Sequence, residues 1–104
     1  MNQLFQIYET LRQFDLCNSQ ADFAIHWLGK SRCYMSYLKA SGAHPDLASV
    51  GMLVARLEPI VEDAKVSAPR SKYRQLRTAH VSAKTLYSGL YQIKFVDPWY
   101  RISV

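Results

Sequence analysis

Two short helical patterns meet at one glycine in the stretch NSQADFAIHWLGKSRCYMSYLK, residues 18 to 39, and that junction limits what the chain can fold into. Ser19 can cap a helix by accepting a backbone N–H, and Asp22 three residues on gives a short version of the capping box. Phe23, Ala24, Trp27 and Leu28 then fall on one apolar stripe at helical spacing. Gly29 follows, and glycine accepts the left-handed backbone that ends a helix and turns the chain sharply. Ser31 can cap a second helix, in which Tyr34, Met35 and Leu38 form the buried side while Arg32, Cys33, Ser36, Tyr37 and Lys39 face outward. A short second helix that is apolar beneath and polar or basic above suits insertion into a DNA major groove.

The stretch resembles the lambda-repressor or XRE type of helix-turn-helix domain, in which Ser-Gln opens the first helix, Leu-Gly-x-Ser-Arg makes the turn and a Ser lies in the middle of the recognition helix. Ser19-Gln20, Leu28-Gly29-Lys30-Ser31-Arg32 and Ser36 match those places, and the resemblance covers residues 4 to 66. Two positions depart from it. The segment from Ala24 to Gly29 is one residue longer than the usual Ala-x-x-Leu-Gly, and Lys30 stands where a small aliphatic residue is usual. One extra residue corresponds to a rotation of about 100° about the helix axis, which is expected to bring Ile25 into the contact usually given to alanine.

The rest of the chain reads as helices around this pair. Leu4, Phe5, Tyr8, Leu11 and Phe14 recur at three- and four-residue steps, so residues 2 to 15 are expected to form a first amphipathic helix. Residues 41 to 46, SGAHPD, form a loop, after which Leu47, Val50, Leu53, Val54 and Leu57 mark a fourth helix. Pro59 lacks a backbone donor and clashes with the preceding turn, so this helix is expected to stop or kink near Leu57. A fifth helix then runs from Pro59 to Lys65. The expected fold is all-α: a compact five-helix bundle over residues 1–67, the arrangement the resemblance also implies.

Residues 66 to 71 read as a hinge, and residues 68–104 as a basic, aromatic extension. Its first part places Tyr73, Leu76, Val81, Ala83, Leu86, Tyr87 and Leu90 on a broad apolar side, which fits a sixth helix from Ser71 to Ser88. The final segment alternates β-branched and aromatic residues on either side of Asp97-Pro98, a pattern compatible with a short terminal β-hairpin.

Charge is unevenly distributed. The net formal charge is +5, and residues 68 to 104 carry Arg70, Lys72, Arg74, Arg77, Lys84, Lys94 and Arg101 against Asp97 alone. The cluster Arg70, Lys72, Arg74 and Arg77 offers a sequence-independent grip on DNA phosphates, or else a solvated helix face. Cys17 and Cys33 form no zinc-ligand spacing with His26, His44 or His80. No carboxylate pair, Ser/His/Asp set or glycine-rich phosphate loop points to an enzyme, and no cofactor or small-molecule effector is implied. With no signal-peptide pattern and no apolar run long enough to span a bilayer, the expected location is cytoplasmic, away from the membrane.

Within the pair, Arg32 at a helix start is positioned to read guanine or to contact phosphate, Ser36 to bond a base edge, and Tyr37 to pack on a thymine methyl or the sugar backbone. Lys39 suits phosphate, as does Gln20 at the positive end of the first helix of the pair. The reading is a small sequence-specific transcriptional regulator acting on double-stranded DNA as a homodimer, with the apolar extension joining the two copies. The alternative is a protein-interaction adaptor or anti-activator that keeps the bundle without reading DNA.

Overall fold

The computed structural model describes residues 2–93, which are all-α: five helices and, among the described residues, no strand. Helix α1 (Asn2–Gln13) buries Leu4, Ile7, Tyr8 and Leu11 along one side. It ends in a left-handed cap supplied by Asp15 at φ 58°, with Asp15 N–H donating to the Arg12 carbonyl and Leu16 N–H to the Leu11 carbonyl.

Helix α2 (Gln20–His26) starts as expected: the Ser19 hydroxyl accepts from Asp22 N–H at 3.1 Å, and the Asp22 carboxylate accepts from Asn18 N–H at 2.9 Å. Helix α3 (Tyr34–Ser41) closes at Gly42, whose φ of 68° admits the left-handed turn.

Helix α4 (Leu47–Ser67) is continuous, so the two segments expected on either side of Pro59 form one helix. Pro59 and Ala55 are both exposed, so the carbonyl that loses its proline donor belongs to a residue on the solvent side of α4. The cost of the missing bond therefore falls on the solvated side, while Leu53, Leu57, Val61 and Ala64 keep the other side buried. Ala68 and Pro69 make the whole turn into α5 (Arg70–Tyr91), a shorter connection than the hinge expected over residues 66 to 71.

α4 and α5 run antiparallel over 21 and 22 residues. Small residues set their spacing: a Cβ at Gly51 would come within 3.1 Å of the Tyr87 ring, and Ala79 and Ala83 are buried on α5. α5 also packs on α1, and in the turn just after α1 Lys72 Nζ lies 5.5 Å from the centre of the Phe14 ring. Leu76, Leu86 and Leu90 join Leu4, Leu11, Phe23, Leu53 and Leu57 in one core. The helix set apart in the sequence as an extension is thus inside the bundle. Its apolar side is spent within its own chain, which corrects the expectation that Leu76, Leu86 and Leu90 join two copies. The expected hairpin, with Phe95 and Trp99, lies outside the described residues.

Candidate nucleic-acid interface

Residues 27–33 connect α2 to α3, and backbone hydrogen bonds show how α2 ends before Gly29. The Phe23 carbonyl accepts from both Trp27 N–H at 2.9 Å and Leu28 N–H at 3.2 Å, and Lys30 N–H reaches the Ala24 carbonyl at 2.8 Å. Bonding at the helix end widens by one residue and then by another, so α2 unwinds gradually into the connection. Ala24 is fully buried while Ile25 is 45% exposed, contrary to the exchange expected of them. Gly29 sits at φ 68° and presses on α4, since a Cβ there would lie 2.7 Å from Met52 Sδ.

Beyond Gly29, a polar junction ties the connection to the start of α4. Asp46 is the N-cap of α4, accepting from Ser49 N–H at 3.2 Å and from the Ser49 hydroxyl at 2.9 Å. The Tyr34 hydroxyl donates to the same carboxylate at 2.8 Å, and Lys30 Nζ lies 3.2 Å from it. Lys30 also stands 5.6 Å over the Tyr34 ring. Burial by itself raises the Asp46 pKa, but hydrogen bonds from Tyr34, Ser49 and Lys30 outweigh it and hold the group at about 2. For Tyr34, burial comes first and pushes its hydroxyl pKa up.

α3 starts later than the sequence suggests. Ser31 contributes its carbonyl to Tyr34 N–H at 3.1 Å rather than a side-chain cap, and the N-cap position falls to Cys33, whose thiol caps nothing. Arg32 and Cys33 therefore occupy an exposed turn ahead of α3 instead of its first helical turn, as Ser31 does. On α3 itself Met35 and Leu38 are buried, and Ser36, Tyr37 and Lys39 are exposed. Tyr37, at 57% exposure, stacks on Tyr34 with 6.5 Å between ring centres. Gln20 is half-buried in the first turn of α2.

The basic cluster of α5 lies elsewhere. At 100° per residue Arg70, Arg74 and Arg77 fall within about 60° of one another, whereas Lys72 points to the opposite side, over Phe14. Arg70 opens α5 at the far end of α4 from α3, and 21 residues at 1.5 Å each make α4 about 31 Å long. The four basic residues thus form neither one patch nor a patch beside α3.

Sequence reading passed over the Lys30, Tyr34 and Asp46 junction, although Asp46 preceding an apolar helical pattern, with Ser49 three residues on, is itself a cap signal. His80, which the sequence brings in only as a zinc-ligand candidate, has its Nε2 buried without a hydrogen-bond partner and its pKa lowered, first by burial and then by Lys84. Cys17 is buried and Cys33 exposed, both as free thiols; burial, then the Asp22 charge, pushes Cys17 up to about 11. Among the described residues no group of three His, Cys, Asp or Glu could hold a metal ion, and no helix is long and apolar enough to cross a membrane.

Residues 4–90 match a family of unknown function, DUF6626. The chain belongs to this family. The DUF6626 match begins at Leu4 and ends at Leu90, the first and last buried core residues among the described residues, so the family unit takes in α5 with the rest of the bundle. No curated protein and no solved structure matches the chain.

Proposed function

We propose that this DUF6626 protein is a small sequence-specific DNA-binding regulator that presents α3 to the major groove. The observation that carries the reading is the division of α3: Met35 and Leu38 lock it to the core while Ser36, Tyr37 and Lys39 stand clear of it. Arg32 and Cys33, in the exposed turn ahead of α3, extend that row toward a groove edge, and Ser31 and Gln20 flank it for backbone contacts. The Lys30–Asp46 pair and the Gly29–Met52 contact support the reading because they tie the connection ahead of α3 to α4, and a groove-reading helix has to be preorganised.

One short helix reads few base pairs. Selectivity then comes from a second copy on a half-site about one helical turn away, and regulation from occlusion or recruitment at a promoter. With the apolar side of α5 buried, that second copy meets a different surface from the one the sequence suggests.

The competing reading is a protein-interaction adaptor, favoured by the exposure of Ile25 on α2 near the same connection. Selection of bound duplexes from a random pool, followed by salt-titrated gel shifts, separates the two. An enriched sequence bound at least tenfold better than its scrambled counterpart supports DNA reading. No enrichment, with a stable stoichiometric protein complex in its place, supports the adaptor.

A further inference from the structure

We propose that the outward face of α5, formed by Arg70, Arg74 and Arg77, is a separate surface for the phosphate backbone of nucleic acid, indifferent to sequence. α5 carries Arg70, Lys72, Arg74, Arg77 and Lys84 and no acidic residue over its 22 residues. Among the described residues no ion pair engages Arg70, Arg74 or Arg77, and all three are exposed. Arg74 and Arg77 line one shallow depression with Thr78, Val81 and Ser82. The three arginines rise along the helix in steps of about 6 Å and then about 4.5 Å, a short row of unopposed cations on a rigid rod.

The occupant follows from what this face lacks. A helix lying on a membrane needs an apolar side to sink into lipid, and the apolar side of α5, with Leu76, Leu86 and Leu90, is already in the core. A protein interface centres on apolar and aromatic anchors, and Val81 is the one large apolar side chain exposed among these arginines. A regular polyanion needs neither, only cations that displace its counterions. Because this face begins at the far end of α4 from α3, its grip does not depend on α3 reading bases.

The experiment measures binding to one unrelated duplex of about three helical turns across a salt series. The Arg74→Ala/Arg77→Ala double variant is compared with Arg56→Ala/Lys65→Ala, which removes the same charge from exposed positions of α4. The expected result is a log–log salt slope about 1.8 shallower for the first pair and unchanged for the second. Arg74→Gln/Arg77→Gln, which keeps side-chain length, is expected to behave as the alanine pair does. Equal changes in both pairs, no change in the first, or tighter binding of the parent to polyglutamate or to anionic phospholipid vesicles than to the duplex overturns the proposal. Since the duplex carries no selected site, failure here leaves the reading by α3 standing, and failure of that reading leaves this result standing.

Discussion

The Tyr34 hydroxyl donates to Asp46 Oδ1 at 2.8 Å and accepts from the Asp46 backbone N–H at 3.0 Å, so one side chain at the start of α3 is bonded twice to the residue that caps α4. Tyr34→Phe removes both bonds, leaves a half-buried N–H and a carboxylate short of a donor, and is expected to lower stability by about 1–3 kcal/mol. A thermal melt reads this, and a variant that melts with the parent would show that Lys30 and Ser49 alone hold the junction.

Acid is expected to undo the same junction. The folded-state pKa of Asp46 is about 2 against an ordinary 3.8, so the unfolded chain takes up its proton first. The contribution is therefore complete above pH 3.8 and is lost as pH falls through about 2. The side chain is 42% exposed, and solvent screening reduces the contribution to about 1 kcal/mol. Urea melts of the parent and Asp46→Asn across this window are expected to converge as pH falls; a gap that stays constant contradicts the assignment.

Gly29→Val meets two obstacles together, a backbone at φ 68° that β-branched residues resist and the sulfur of Met52 at 2.7 Å from the new Cβ. The expected loss is about 1–3 kcal/mol. Pairing it with Met52→Ala removes the steric part and leaves the backbone part, so Gly29→Val is expected to cost less in the Met52→Ala background than in the parent. Identical losses in both backgrounds would place the whole cost in the backbone.

The apolar stripes of α1 and α2 were legible because they repeat at helical spacing, and the Ser19–Asp22 cap because it is local in sequence. The role of Lys30 was not: it looked like a departure from a pattern, and its partner Asp46 lies across the next helix. Pro59 misled for the opposite reason, since a strong local rule gave way to a packed face on the other side of α4. The apolar face of α5 was visible, but whether it meets its own chain or a second copy depends on a two-residue turn at Ala68–Pro69 that brings it back along α4.

That turn gives a further expectation. A chain ending at Ala68 loses Leu76, Ala79, Ala83, Leu86 and Leu90 from the core. The three leucines alone account for about 5–9 kcal/mol of burial, comparable with the roughly 5–15 kcal/mol that stabilise a whole domain. The truncated chain is expected to lose its helical circular dichroism, and a cooperative melt at the parent temperature would show that α1 to α4 fold without α5.

The most direct test of DNA reading is the ratio of affinities for a pool-selected duplex and its scrambled counterpart at fixed salt, measured for the parent and for the variant Arg32→Ala/Ser36→Ala/Tyr37→Ala. All three positions are exposed, so the bundle is expected to stay folded. The account predicts a marked preference in the parent that falls by about 1–3 kcal/mol, or roughly 5- to 150-fold, in the variant, with binding to the scrambled duplex nearly unchanged. A parent without preference, or a variant that keeps it, contradicts the claim that α3 reads DNA.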